Sequence, residues 1–143
     1  FYSFAYPVKK LSTTAVSTLN GLKVTFPNQD NQTVEIRSAL EMLMSSIAAC
    51  ETASLQALAK RKKVEVGQVN WTRIESTYDL NHWTTNGGPS NKMGEIFLEV
   101  EVETSMNESE LEEMRELTEN MCPAYQIVSG SGIKINSIWT KKS

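Results

Sequence analysis

The chain has 143 residues, a net charge of −3 and a pI near 5.3, so a single domain over residues 1–143 is expected, without a nucleic-acid-binding surface covering much of it. Hydrophobic residues make up 40% and charged residues 22%, the balance of a globular chain and neither a disordered nor a fibrous one. Two cysteines and one histidine exclude most zinc and iron–sulfur centres, and the longest nearly apolar run, Ala39–Ala49, falls far short of the ~20 residues of a membrane span, so neither a cofactor nor a membrane partner is expected.

Phe1–Val8 is aromatic-rich but has no basic segment before it and no small-residue cleavage site after it, so a cytoplasmic location is expected. A stable structural disulfide is unusual there. Ala15–Leu19 and Leu22–Phe26 flank Asn20-Gly21, which predicts a two-residue hairpin turn. Pro27–Gln32 reads as a polar turn and Val34–Ile36 as a short extended stretch.

Ser38 and Glu41 have the spacing of a capping box, and good helix formers continue to about Lys63 without Gly or Pro. Leu40, Met42, Leu43, Met44, Ile47 and Ala48 leave this helix little polar face, and a helix apolar almost all round is buried on more than one side. Ser45, Ser46, Ala48 and Ala49 are small enough to let another backbone approach. Lys60–Lys63 place cations at the negative end of the helix dipole, where the plain reading is a solvated helix end.

Two strands follow, Val69–Leu80 and Glu95–Thr104. In the second, Ile96, Leu98, Val100 and Val102 alternate with Phe97, Glu99, Glu101 and Glu103, so one face is buried and the other wet. Asn81–Gly94 between them is long for a hairpin connection. A second helix starts at Asn107, again with a capping partner in Glu110. Leu111, Met114, Leu117 and Met121 form its apolar stripe, and six Glu between 108 and 119 read as a solvated face. Pro123 interrupts this helix after Cys122. Ala124–Val128 reads as a further helical turn and Ile133–Thr140 as a last strand. The order β-β-α-β-β-α-β predicts an α+β two-layer domain.

Each cysteine alone reads as a small buried hydrophobe. They stand 72 positions apart, which is no metal or CxxC spacing. If the two sulfurs meet, a redox role explains them better. His82 reads as a solvated loop residue. Trp71, Trp83 and Trp139 read as core or as the lining of an apolar pocket.

Ser-Ala-Leu-Glu-Met-Leu-Met-Ser-Ser-Ile-Ala-Ala-Cys opens the first helix, and Met-Cys-Pro-Ala-Tyr-Gln-Ile-Val-Ser-Gly closes the second. From about Ala15 onward these segments and their order resemble the OsmC/Ohr family, the osmotically inducible protein C and organic hydroperoxide resistance proteins. The resemblance implies a two-layer fold around a long buried central helix, an intertwined homodimer, and a stress-response thiol peroxidase acting on organic hydroperoxides. Carried over, Cys50 is the peroxidatic cysteine, Cys122 the resolving one, and an external thiol the reductant. The family's peroxidase branch stabilises the thiolate with an Arg from the N-terminal strands. No Arg precedes Arg37 here, so Arg37, Lys9 and Lys10 are the candidates for that task. The family's Glu, ten positions before the cysteine, is Leu40 in this chain. Glu41, nine before, falls roughly on the opposite helix face and reads as a cap first and a supporting site residue second. These departures bring the chain closer to the divergent OsmC-like branch. They leave open a weak or inert dimer that binds a small apolar or thiol-bearing ligand.

Overall fold

The period-two segment around Leu98 lies at the centre of the larger of two sheets. The computed structural model describes residues 2–4, 18–25, 33–78 and 93–142. Among them, strands β1 (Tyr2–Phe4), β2 (Thr18–Thr25) and β3 (Thr33–Ser38) precede helix α1 (Ala39–Lys62); β4 (Val66–Tyr78) and β5 (Ile96–Thr104) precede α2 (Glu108–Met121), α3 (Pro123–Gly130) and β6 (Ile135–Lys142). The strands form a sheet ordered β1-β4-β5-β6 and a two-stranded sheet β2-β3. β6 runs parallel to β5, and α2 and α3 supply the crossover that a parallel pair requires.

One face of the larger sheet carries Ile96, Leu98, Val100 and Val102 of β5, Val69, Trp71 and Ile74 of β4, and Trp139 of β6. It packs with Met44, Ile47, Ala48, Leu55 and Leu58 of α1 and Leu111 and Met114 of α2 in one core. Each such side chain, fully buried, contributes about 1.5–3 kcal/mol. The register of β4 slips between Trp71 and Arg73, which lets Trp71 and Ile74 both point inward although they are an odd number of residues apart. On the outer face the Arg73 guanidinium lies 4.6 Å from the Phe97 ring centre and pairs with Glu75 and Glu99.

The hairpin expected at Asn20-Gly21 is not formed. Both residues lie inside β2, where the ladder with β3 shifts register between Thr18 and Leu22. The freedom that suits Asn and Gly to a tight turn suits a bulge equally well. The polar turn expected at Pro27–Gln32 lies outside the described residues, as does most of the long connection before β5, with His82 and Trp83. β1 pairs with β4, Tyr2 opposite Tyr78, in a segment where the sequence reading placed no strand.

Helix α1 starts as its cap predicts: the Glu41 N–H donates to Ser38 Oγ at 3.2 Å. It stops where Lys63 turns left-handed, at φ 57°, and returns its N–H to the carbonyls of Ala59 and Lys60. Among the described residues, one face of α1 is covered and the opposite one is open. Met42 and Leu43 stay 41% and 38% exposed, and Ser46, Ala53 and Ala57 line the same open face. Helix α2 has both halves of its capping box, Glu110 N–H to Asn107 Oδ1 at 2.8 Å and Asn107 N–H to Glu110 Oε1 at 3.2 Å. Its expected stripe splits: Leu111 and Met114 are buried with Thr118, while Leu117 and Met121 remain 39% and 38% exposed. No helix among the described residues is long and apolar enough to cross a membrane.

Candidate active site

Cys122 occupies the break between two helices. Pro123 cannot continue α2 and restricts the residue before it, so Cys122 adopts an extended conformation (φ −79°, ψ 110°) and Pro123 becomes the first residue of α3. Cys122 thereby closes α2 and caps α3, its Sγ accepting the Tyr125 N–H at 3.4 Å. Both α2 and α3 pack against α1, which carries Cys50 at mid-length. This packing brings the two thiols near one another, close enough for Cys50 to shift the Cys122 thiol. Both cysteines are free thiols, Cys50 partly exposed and Cys122 buried.

Burial, first, and the neighbouring Cys50 thiol, second, push the Cys122 thiol up to about 12; the Tyr125 N–H acts against them. Cys122 therefore keeps its proton at neutral pH. Next to Cys50, Glu51 is fully buried, and neither of its carboxyl oxygens has a hydrogen-bond partner among the described residues. Burial raises its pKa well above the ordinary carboxylate range. The charges of Glu119 and Cys50 raise it further, and Arg115 opposes them.

Arg115 links the acidic groups. Its guanidinium bonds Glu119 Oε2 at 2.7 Å and Glu112 Oε1 at 3.0 Å, and these bonds hold it firmly cationic. The Tyr125 phenol is pushed up to about 12, by burial first and then by the charges of Glu119 and Glu51. Gln126 Nε2 donates to the Glu119 carbonyl at 2.9 Å and ties α3 to the end of α2.

Of the residues singled out from sequence, Cys50 and Cys122 meet. Glu41 does not join them: it is buried in the first turn of α1, about 13 Å along the helix axis from Cys50. The backbone of Arg37 lies in β3, one residue before the α1 cap, while its side chain, like all of Lys9 and Lys10, lies outside the described residues. The solvated reading of all six α2 glutamates is corrected at Glu119, which is 7% exposed and paired with Arg115. Sequence reasoning missed Glu51, Arg115, Glu119 and Tyr125. One signal was available: Glu119 and Tyr125 each stand three residues from Cys122, Arg115 stands four before Glu119, and Glu51 is next to Cys50.

Among the described residues no three His, Cys, Asp or Glu side chains are grouped to hold a metal ion. An open cleft of about 680 Å³ lies elsewhere, between the last turns of α1 at Ala59 and Lys60 and the end of β5 at Glu103 and Thr104, and includes neither cysteine.

The family model described as OsmC-like protein matches residues 33–137. Among curated proteins, none matches the chain. Its fold is similar to that of an OsmC-like protein from Mycoplasma pneumoniae, at 26% identity over 77% of this chain and 75% of that one, with a TM-score of 0.65. It is also similar to the OhrB organic hydroperoxide resistance protein of Bacillus subtilis (18% identity, 75% and 71% covered, TM-score 0.52). A third similar fold is the OsmC organic hydroperoxide resistance protein of Legionella pneumophila (14% identity, 76% and 71% covered, TM-score 0.51).

Proposed function

Since the chain belongs to the OsmC-like protein family through residues 33–137, we propose that it is a thiol-dependent peroxidase of organic hydroperoxides, with Cys50 as the peroxidatic and Cys122 as the resolving cysteine. The observation that carries this reading is that free thiols on two separate elements, α1 and the α2–α3 junction, lie close enough for Cys50 to shift the Cys122 thiol. The hydroperoxide resistance named for the similar Bacillus and Legionella structures supports it. The Cys50 thiolate attacks the O–O bond, becomes a sulfenic acid and releases an alcohol. Cys122 then condenses with the sulfenic acid, giving an intramolecular disulfide and water, and an external dithiol returns both sulfurs to the reduced state. The difference in exposure suits these roles: a substrate reaches Cys50 from outside, whereas buried Cys122 meets only what Cys50 becomes.

The open face of α1 is apolar, with Cys50 along its length. The proposal therefore includes a homodimer in which a second copy covers this face and the two sites lie at the interface. No cofactor takes part, and the protein works in the cytoplasm in defence against oxidative stress.

The test is consumption of an organic hydroperoxide by purified protein with a dithiol reductant. Turnover faster than with hydrogen peroxide is expected. Cys50→Ser should abolish it, and Cys122→Ser should consume about one equivalent per site and then stall. Equal slow rates for wild type and Cys50→Ser would overturn the peroxidase and leave an inert dimer that binds a small apolar or thiol-bearing ligand.

A further inference from the structure

Peroxide reduction by a thiolate moves protons as well as electrons. When the O–O bond breaks, one oxygen stays on sulfur and the other leaves as an alkoxide, a strong base that needs a proton as it departs. A proton source beside the sulfurs that is itself protected from water keeps its proton until that moment. Among the described residues the candidate beside the sulfurs is Glu51, the residue after Cys50, fully buried and with both carboxyl oxygens unpartnered.

The surroundings favour the neutral acid at this position. Two carboxyl groups, Glu51 and Glu119, share one site with a single guanidinium, and Arg115 is committed to Glu119 at 2.7 Å. Among the described residues a second buried negative charge beside Glu119 has no counter-charge left, which favours the protonated form of Glu51. A protonated carboxyl also does not repel a thiolate on Cys50, as an ionised one would.

We propose that Glu51 is the proton donor of the peroxide-reduction step, delivering its proton to the alkoxide that leaves Cys50. The proposal rests on the peroxidase reading above and adds to it the acid that the sulfurs lack. The protons balance through the cycle. The Cys50 thiolate and ROOH, with the Glu51 acid, give the Cys50 sulfenic acid, ROH and the Glu51 carboxylate. Cys122 then passes its thiol proton to Glu51 and attacks the Cys50 sulfur. The disulfide forms, and the departing hydroxide takes that proton and leaves as water. An external dithiol carries two protons. On reducing the disulfide it returns one to Cys122 and one to Glu51 and leaves Cys50 as the thiolate. Glu119 and Arg115 act as positioning residues, since their ion pair keeps the second carboxyl neutral.

Among the described residues the titratable and charged groups near Glu51 are Cys50 on its own helix, Glu119 and Arg115 on α2, and Cys122 and Tyr125 at the α2–α3 junction. From β4 the inward residues near α1 are Trp71 and Ile74, which do not titrate, and from β3 the described inward residues are Ile36 and Ser38.

The test is single-turnover oxidation of the reduced full chain by tert-butyl hydroperoxide, followed across pH for wild type, Glu51→Gln and Glu51→Asp. A roughly 100-fold slower oxidation in Glu51→Gln is expected, the low end of what a general acid contributes. Wild type should slow as the pH rises through the Glu51 titration. Glu51→Gln should lack that limb, and Glu51→Asp should recover part of the rate with the limb restored. Wild-type turnover with an unchanged rate and pH profile in Glu51→Gln overturns this proposal and leaves the peroxidase standing. Equal slow rates for wild type and Cys50→Ser overturn both. Should Glu51→Gln fail to fold, difference infrared spectroscopy of wild type decides. The carbonyl stretch of a protonated carboxyl is expected in the reduced form and lost in the disulfide form, and its absence from the reduced form at neutral pH overturns the proposal.

Discussion

Thr52 carries two buried hydrogen bonds on one oxygen: its hydroxyl donates to the Ala48 carbonyl at 2.8 Å and accepts the Trp71 indole N–H at 2.9 Å. Thr52→Val keeps the shape and strands that N–H in the core, which costs about 1–3 kcal/mol, whereas Thr52→Ser loses far less; denaturant midpoints of the two variants check this. Glu51 makes stability depend on pH. Its folded-state pKa is raised, so the native state binds a proton that the unfolded chain releases near its ordinary value of about 4.3. Stability accordingly falls as pH rises from there up to the folded pKa. Glu51→Gln should flatten that slope, seen as urea midpoints that no longer drop with pH over this range. The two thiols should also label unequally. Iodoacetamide should modify partly exposed Cys50 and spare Cys122, which is buried and keeps its proton, with peptide mass spectrometry locating the adduct. The pairing of these cysteines was expected from their sequence contexts through a family resemblance. The carboxyl groups beside them were not, because a Glu in a Glu-rich helix shows nothing locally of whether it faces water. Burial of Glu51 and Glu119 is decided by how α1, α2 and α3 pack, at separations along the chain that no local pattern spans.

At the scale of elements, the helices start and stop where short-range chemistry says they should. Ser38 and Asn107 each take the N–H of the residue three ahead, and Pro123 splits α2 from α3. Asn107→Ala removes one side of a complete capping box and should cost about 1 kcal/mol, with no change in the reactivity of Cys50. The strands β4 and β5 were legible for a similar reason, since alternation is local. Features that depend on distant partners were not. Asn20-Gly21 has the composition of a turn, yet the ladder with β3 runs across it with a shift of register. β1 is three residues long and exists as a strand only because β4, more than seventy positions on, offers an edge. The stripe on α2 was misjudged at its far end, where Thr118 rather than Leu117 turns inward.

For the whole molecule, the α+β class and the element order followed from patterns of period 2 and 3.6. The parallel placement of β6 against β5 did not, because either neighbour of β5 would satisfy an alternating strand. The apolar outer face of α1 leads to the assembly prediction. Ala53→Glu puts a charge on that face one helical turn from Cys50. It should shift a dimer burying well over ~2,000 Å² toward monomer or aggregate in sedimentation, while a fully monomeric wild type at micromolar concentration would remove the dimer. Finally, the meeting of Cys50 and Cys122 has a thermodynamic consequence. A bond between them closes a covalent ring containing β4, β5 and α2, about half of the chain. A ring of that size restricts the unfolded chain enough to stabilise the native state by about 4 kcal/mol, less any strain. The oxidised form should therefore melt at a higher temperature than the reduced form, and Cys122→Ser should erase the difference. The same free energy acts in reverse on the sulfurs. Folding holds the disulfide closed against reducing thiols by up to roughly a thousandfold relative to the unfolded chain, and a reductant that turns the protein over must work against the stability of the fold itself.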